Sequence, residues 1–402
     1  MPWEECTEVS RRQEFVALAA AGQSSMSELC RRFGVSRKTG YKWLDRFATE
    51  GESGLQNRSR RPQSSPTRTE AEIESLVVEL RRKHPAWGGR KLRKRLQDLG
   101  HEQLPAASTI TNILHRHNLI DPEESKKHTA FQRFEHPEPN DLWQMDFKGH
   151  FAMSNQSRCH PLTVLDDHSR FNVGLRACGN ERGKTVKLEL IEIFRRFGLP
   201  RRILMDNGAP WGNSADHPYT PLSTWLIRLG MGVTHGRPVH PQTQGKDERF
   251  HRTLKLEVLR GREFRDLQDC QSHFDPWRDV YNLERPHEAL EMATPASRYR
   301  VSLRSYPETL PEIEYSPGDQ VRKVQTTGKI DFQGKVYFVS KAFRGEPIGL
   351  RATSEDGIWE VYYCHHPIGT LDERRGPGGD AFALPNVARY ARSVRQGKYG
   401  EE

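Results

Sequence analysis

Three carboxylates in this sequence could be brought to one place. Asp146 lies in Leu142-Trp143-Gln144-Met145-Asp146-Phe147, where alternation puts Trp143, Met145 and Phe147 on one face of a strand and Asp146 on the other. Alone, an acid in such a strand is commonly just solvated. Asp206 follows the apolar Ile203-Leu204-Met205 and precedes Asn207-Gly208. That places it at the carboxyl end of a central strand, where ligands gather in open α/β sheets; the competing reading is a turn-forming Asp before Asn-Gly. No Asp or Glu occurs between Asp216 and Asp247, so Asp247 and Glu248 are the next carboxylates available. They open a helix at Gly245. At about 100° per residue, Glu248, Arg252 and Lys255 share one stripe while Phe250, Leu254 and Val258 share another. Glu248 therefore faces away from the core, and Asp247, a quarter-turn away, is the weaker candidate. Simple charge pairing along an exposed helix would also account for that stripe.

Three such acids held together would repel one another unless a cation lay between them. Oxygen donors without His or Cys favour Mg2+ or Mn2+. Such a site can hold two ions about 3.5–4 Å apart, one activating an attacking oxygen and the other stabilising the leaving oxygen of an in-line phosphoryl transfer.

The elements that must position the acids are legible in the patterning. Strands are expected over Leu142 to Phe151, Pro161 to Asp166 and Arg170 to Ala177, then a helix from Lys184 to Phe197 with Val186, Leu190, Ile193, Phe194 and Phe197 on one side. A short strand at Ile203-Leu204-Met205, a helix carrying Leu222, Trp225, Leu226 and Leu229, a strand near Val233 and the helix from Gly245 follow. Three strands, helix, strand, helix, strand, helix is the order of ribonuclease-H-like folds, an assignment that rests on analogy.

Upstream, Arg11 to Phe47 reads as three short helices, the last two being Ser27 to Phe33 and Ser36 to Phe47 around Gly34-Val35. That is helix-turn-helix spacing. Ser36 is a suitable N-cap; Arg37, Lys38, Thr39 and Lys42 face outward as candidate DNA contacts, while Tyr41, Trp43, Leu44 and Phe47 supply apolar contacts. The stretch Gly51 to Thr69, rich in Arg, Ser and Pro, reads as a linker. Ile73, Leu76, Val77 and Leu80 then mark a helix. A basic run that includes Arg90 and Lys91 follows, with Trp87-Gly88-Gly89 turning the chain, and Ala107 to Leu119, capped by Ser108, is a second candidate recognition helix. A solvated charged face is the alternative in each case. Downstream, Val, Ile, Tyr and Phe strands from Tyr315 to Leu371 suggest a small β barrel. The last thirty residues read as a mobile basic tail.

Composition agrees without deciding. The 402 residues carry 62 Lys and Arg against 53 Asp and Glu, a formal charge of +9 that favours a polyanionic partner. The six cysteines form no Cys-x-x-Cys pair and read as reduced thiols. No apolar stretch is long enough to cross a bilayer, and the start lacks a signal-peptide pattern, so a cytoplasmic location is expected.

At its acidic residues the chain resembles the integrase-core transposases of bacterial insertion sequences, relatives of retroviral integrases within the DDE superfamily. The matching segments are Trp143 to Phe147, Leu165-Asp166-Asp167-His168-Ser169-Arg170-Phe171, Asp206-Asn207-Gly208, and His240 to Arg252. Tyr281-Asn282, Arg285-Pro286-His287 and Ala289-Leu290 complete the set. The resemblance covers nearly the whole chain. It implies that Asp146, Asp206 and Glu248 hold the metals, that Arg252 and Lys255 contact DNA nearby, and that Asp166 is a strand-end or turn residue. There are 59 residues between the first two acids, as in the family; the 41 between Asp206 and Glu248 are more than is commonest, with Trp211 to Pro221 the place for the excess. The His and Cys zinc pattern of retroviral integrases is missing.

The resemblance implies a multidomain α/β protein. Its parts are a helix-turn-helix domain (1–50), a linker (51–69), a second helical DNA-binding domain (70–136), a ribonuclease-H-like catalytic core (137–300), a small SH3-like β barrel (301–372) and a tail (373–402). The implied activity is binding of terminal inverted repeats, metal-dependent 3′-end cleavage and strand transfer into target DNA, by a homodimer or larger assembly. Two rivals remain. A plain nuclease would use the same acids without joining ends, and a regulator derived from a transposase would bind DNA without chemistry.

Overall fold

The computed structural model describes residues 7–59, 69–120, 135–212, 218–235, 245–376 and 381–384. The chain divides into two compact units, residues 1–68 and 69–402.

In the first unit, α1 (Glu8–Ala20), α2 (Met26–Arg32) and α3 (Arg37–Glu50) each start on a hydroxyl cap: Thr7, Ser25 and Ser36 accept from the amides of Ser10, Glu28 and Thr39. Phe15, Val16, Leu29 and Cys30 form the core. Gly40 lets α3 approach it, since a Cβ there would lie 2.8 Å from the Cys30 Sγ and 2.9 Å from the Phe15 ring. Gly40, Trp43 and Leu44 thus set the inward stripe, and Tyr41, one step around the helix, is 57% exposed rather than packed. It shares the outer face with Arg37 and Lys38. The linker expected from Gly51 begins later, because Gly51–Leu55 is a 3-10 turn whose Leu55 is fully buried and whose carbonyl accepts from Arg12.

The second unit opens with α4 (Ala71–Lys83), α5 (Gly89–Asp98) and α6 (Ala107–Arg116) around Val77, Trp87, Leu92, Leu96, Ile110, Ile113 and Leu114. Ser108 does not cap α6; Ala106 occupies the cap position without a side-chain bond.

The central sheet contains β1 (Trp143–Phe147), β2 (Phe151–Ala152), β3 (Arg158–Asp166), β4 (Asn172–Cys178), β5 (Arg202–Met205) and β6 (Gly232–His235). Its order is β2-β3-β1-β5-β6, with β4 on β3; β1 runs antiparallel to β3 and parallel to β5. The strand expected over Leu142 to Phe151 is two strands, separated by Gly149 at φ 82°. Both faces are covered. Trp143, Met145, Leu162 and Val164 pack with Val186, Leu190 and Phe194 of α7 (Gly183–Phe197) and with Trp225 and Leu226 of α8 (Pro221–Arg228). Leu165 and Leu175 on the other face join Phe250 and Leu254 of α9 (Gly245–Leu254) and Cys270 and Phe274 of α10 (Leu267–Asp279). The ribonuclease-H-like arrangement follows from this element order and strand pairing.

The strand-rich C-terminal part is an open antiparallel sheet of β13 (Phe382–Ala383), β12 (His366–Asp372), β11 (Ile358–Tyr363), β10 (Pro347–Ala352) and β7 (Gln320–Lys323), with a separate hairpin of β8 (Lys329–Phe332) and β9 (Lys335–Phe338). Among the described residues, strand pairing does not close a barrel. Phe343 lies 5.1 Å from Tyr219 and Thr224 donates to Ala342 O, which seats this sheet on the core beside α8. Part of the expected tail is ordered: β13 pairs with Thr370 and Leu371, and the Phe382 ring covers Gly369. Residues 377–380 and 385–402 lie outside the described residues.

Candidate active site

Strand register sets the first two acids side by side. Trp143 pairs with Ile203 and Gln144 with Leu204 in a parallel ladder, so Asp146 and Asp206 each lie two residues beyond the last pair of that ladder. Asp206 is held locally: its Oδ1 accepts from the Gly208 amide at 2.8 Å, and its backbone oxygen accepts from His235 Nδ1 at 2.8 Å. Asp146 Oδ1 accepts from the Phe147 amide at 2.8 Å. Burial pushes the Asp146 carboxyl up to about 6 against that bond, and the negative charges of Asp206, Glu181 and Glu248 push the same way.

The third acid comes from α9, which lies over β1 and β3 on the face opposite α7. Its Phe250 and Leu254 are buried, whereas Glu248, Arg252 and Lys255 are exposed, as helical spacing requires. Asp247 is 1% exposed, and neither of its oxygens has a hydrogen-bond partner among the described residues. Burial, then the charges of Asp146 and Asp167, hold its carboxyl well above the usual range. The charges of both Asp247 and Glu248 act together with that of Asp146, and what separates the two is exposure: Glu248 reaches solvent, while Asp247 points inward.

Among the described residues no three His, Cys, Asp or Glu side chains converge closely enough to hold a metal ion as they stand. The donor chemistry nevertheless fits a divalent cation. All the groups are oxygens, and the charges of Asp206, Glu181 and Glu248 add to burial in raising the Asp146 carboxyl, a repulsion that a cation would relieve.

Two features escaped sequence reasoning. Glu181, in the loop before α7, acts on Asp146 and accepts from His160 Nδ1 at 2.8 Å; only the strand pairing brings it there. Asp166 and Asp167 are both fully buried. Asp166 accepts from the amides of Asn140 and Ser169 and from the Ser169 hydroxyl, the strand-end or turn role expected of it, so only the burial of the pair went beyond the sequence reading. The segment His240 to Gln244 and residues 213–217 of the interval after Trp211 lie outside the described residues.

The expected DNA contacts fall on three elements. Arg37, Lys38 and Lys42 are exposed on α3, while Thr39 is engaged with its cap, Oγ1 to Ser36 Oγ at 2.9 Å. Arg252 and Lys255 are exposed beside Glu248. Arg90 of α5 is exposed, 3.6 Å from the half-exposed Glu288, whereas Lys91 turns toward the core: burial, with the charge of Arg285 adding to it, takes its pKa down to about 7. Among the described residues no helix is long and apolar enough to cross a membrane.

Comparison with known proteins agrees with this architecture. Residues 136–241 and 229–295 match the family described as integrase core domain, and residues 319–376 match the IS481 family transposase C-terminal domain. Residues 11–63 match a helix-turn-helix domain and 39–114 a homeodomain-like domain. The uncharacterized protein of insertion element IS136 from Agrobacterium fabrum is 35% identical over 155 residues, 36% of this chain and 75% of that protein. The uncharacterized 39.2 kDa protein of insertion element IS476 from Xanthomonas euvesicatoria is 27% identical over 252 residues, 61% of this chain and 69% of that one. Among solved structures, the simian T-cell lymphotropic virus intasome is similar at 15% identity and a TM-score of 0.37, covering 74% of this chain and 96% of that chain. The integrase core marks a polynucleotidyl-transferase type of enzyme, a class that depends on divalent metal, and the helix-turn-helix domains mark DNA binding. The chain belongs to the integrase-core transposases of bacterial insertion elements.

Proposed function

We propose that the chain binds the terminal inverted repeats of its own element, frees their 3′ ends and joins those ends to target DNA, with Asp146, Asp206 and Glu248 as the reacting carboxylates. The observation that carries this reading is the pairing of β1 with β5, which sets Asp146 beside Asp206 where the charge of Glu248 also reaches. These three residues would hold two Mg2+ or Mn2+ ions, which when bound would supply activation of the attacking oxygen and stabilisation of the leaving one. The protein's own part is positional. The Gly208 amide orients Asp206, the Phe147 amide orients Asp146, and exposed Arg252 and Lys255 neutralise DNA phosphates beside Glu248.

The exposed face of α3, with Arg37, Lys38, Thr39 and Lys42, reads the terminal repeat in a major groove; Arg90 and Lys91 add contacts from the second helical arm. Because bond making and breaking balance in each transfer, no nucleotide cofactor or covalent protein intermediate is needed. Holding two ends requires a homodimer or larger assembly on DNA. The parts divide as 1–50 and 70–136 for DNA binding, 137–300 for chemistry and 301–372 for the strand-rich module.

A strand-transfer assay tests this, with labelled DNA from the ends of the element, a target plasmid, Mg2+, and matched protein carrying Glu248→Gln. Label joined to plasmid by the unaltered protein alone is expected. Cleavage without joining favours a nuclease, and binding without either favours a regulator.

A further inference from the structure

Asp167 is fully buried and sits where the strand of the first acid meets the helix of the third. Its Oδ1 accepts from Gln144 Nε2 at 2.6 Å, its Oδ2 accepts from the His136 amide at 2.8 Å, and its carboxylate pairs with the Lys246 ammonium. Lys246 Nζ donates as well to the Asp167 backbone oxygen at 3.0 Å, and the Asp167 amide donates to Leu142 O at 2.9 Å. Gln144 precedes Asp146 by two residues on β1 and shares its face. Lys246 precedes Glu248 by two residues in the first turn of α9 and lies on the opposite side of that turn.

A buried ion pair seldom adds net stability over an apolar pair of the same volume, so its value lies in the geometry it fixes. Here the geometry has a clear object. The first turn of a helix lacks intrahelical partners for its amides and is prone to fray. Pinning Lys246 sets the rotation of that turn about the helix axis, and with it the direction of Glu248. The same carboxylate grips Gln144, so both acids take their position from one residue.

We infer that Asp167, through Lys246 and Gln144, is a positioning residue that fixes Glu248 relative to Asp146. This rests on the reading of Asp146, Asp206 and Glu248 as the reacting carboxylates.

The test uses the full chain in four forms besides the unaltered one: Glu248→Gln, Lys246→Arg, Gln144→Met, and the double variant Asp167→Asn/Lys246→Met, which removes both charges together and leaves no buried ion unpaired. Hydrogen exchange of the peptide 245–254 is read without metal, and single-turnover joining is read against Mn2+ concentration. In the double variant, exchange in 245–254 should rise severalfold while that in 158–166 keeps its value. The joining rate should fall by about tenfold or more, equivalent to about 1.4 kcal/mol. Half-maximal joining should need more Mn2+, with affinity for end DNA unchanged. Lys246→Arg should restore both readouts, and Gln144→Met should move them less in the same direction. Unaltered exchange in 245–254 together with an unaltered Mn2+ midpoint overturns the inference. If the double variant does not fold, Gln144→Met decides on the same two readouts. Failure of the underlying reading looks different, because Glu248→Gln would then join ends as well as the unaltered protein does, whatever the exchange shows.

Discussion

His251 of α9 and Thr163 of β3 share a hydrogen bond of 2.8 Å between Nε2 and Oγ1. The Thr163 hydroxyl gives its own hydrogen to the backbone oxygen of Asp146 at 3.0 Å, so His251 must be the donor and carry its proton on Nε2. Burial, together with the charge of Lys148, lowers the His251 pKa to about 3 and keeps the ring neutral. An uncharged imidazole therefore ties the helix of Glu248 to the strand of Asp146.

Acid should loosen that tie. The folded pKa of His251 lies below its ordinary 6.5, so the unfolded chain takes the proton first, and the stability contributed is full above pH 6.5 and lost as pH falls toward 3. His84, lowered to about 4 mainly by burial, adds to the slope. Each such group contributes up to about 1.4 kcal/mol per pH unit in that window. Thermal unfolding should show Tm dropping between pH 6.5 and 4.5, and His251→Gln, which keeps a donor toward Thr163, should drop less steeply. Equal slopes would remove His251 from the account.

Two aspartates should separate stability from chemistry. Asp166→Ala strands the Asn140 and Ser169 amides in the interior and should cost about 2–4 kcal/mol in denaturant unfolding. Joining per folded molecule should persist. Asp206→Asn keeps an oxygen for the Gly208 amide, so its stability should change by about 0.5 kcal/mol or less. Joining should be lost. The reverse pattern would make Asp166 the reacting acid.

Local periodicity explains which parts were legible. The two-residue alternation of Trp143, Met145 and Phe147 against Gln144 and Asp146 is carried by adjacent residues, and so is the helical spacing that turns Phe250 inward and Glu248 out. The break at Gly149 is not, because the alternation of Phe147 and Phe151 against Lys148 and His150 continues across it. Helix α10 went unread: Pro276 interrupts its pattern, although Asp266, which accepts from the Asp269 amide, is a recognisable cap. Contacts such as Asp167 with Lys246 join residues far apart in the chain and leave no periodic trace. Tyr41 stays outside although its aromatic ring suggests an apolar contact, because Gly40 is what the core admits.

Gly89 should resist substitution for steric reasons. A Cβ there would lie 2.5 Å from Ala107 O and 2.6 Å from Thr111 Oγ1, so α5 and α6 would have to separate. Gly89→Ala should cost about 1–3 kcal/mol, read as a lower urea midpoint by circular dichroism. Gly88→Ala faces open space and serves as the control. Matching midpoints for the two would show that the helix pair gives way without cost.

Lys91 offers a test of which face α5 keeps for DNA. Arg95 bonds Glu284 at 2.6 Å, so Arg95 and Lys91 face the core while Arg90 stays exposed beside Glu288. Burial, with Arg285 adding to it, takes Lys91 down to about 7. Its unfolded value is near 10.5, so between pH 7 and 10.5 the unfolded chain holds more protons and stability should rise with pH. Tm should climb from pH 7 to 9; Lys91→Met should raise Tm at pH 7 and flatten that climb. DNA binding gives the second readout. If Lys91 reaches a phosphate, Lys91→Met should lower the salt slope of end binding by about one. An unchanged slope with the raised Tm would assign Lys91 to the contact between arm and core, leaving the outer face of α5 as the surface that the arm can offer to DNA.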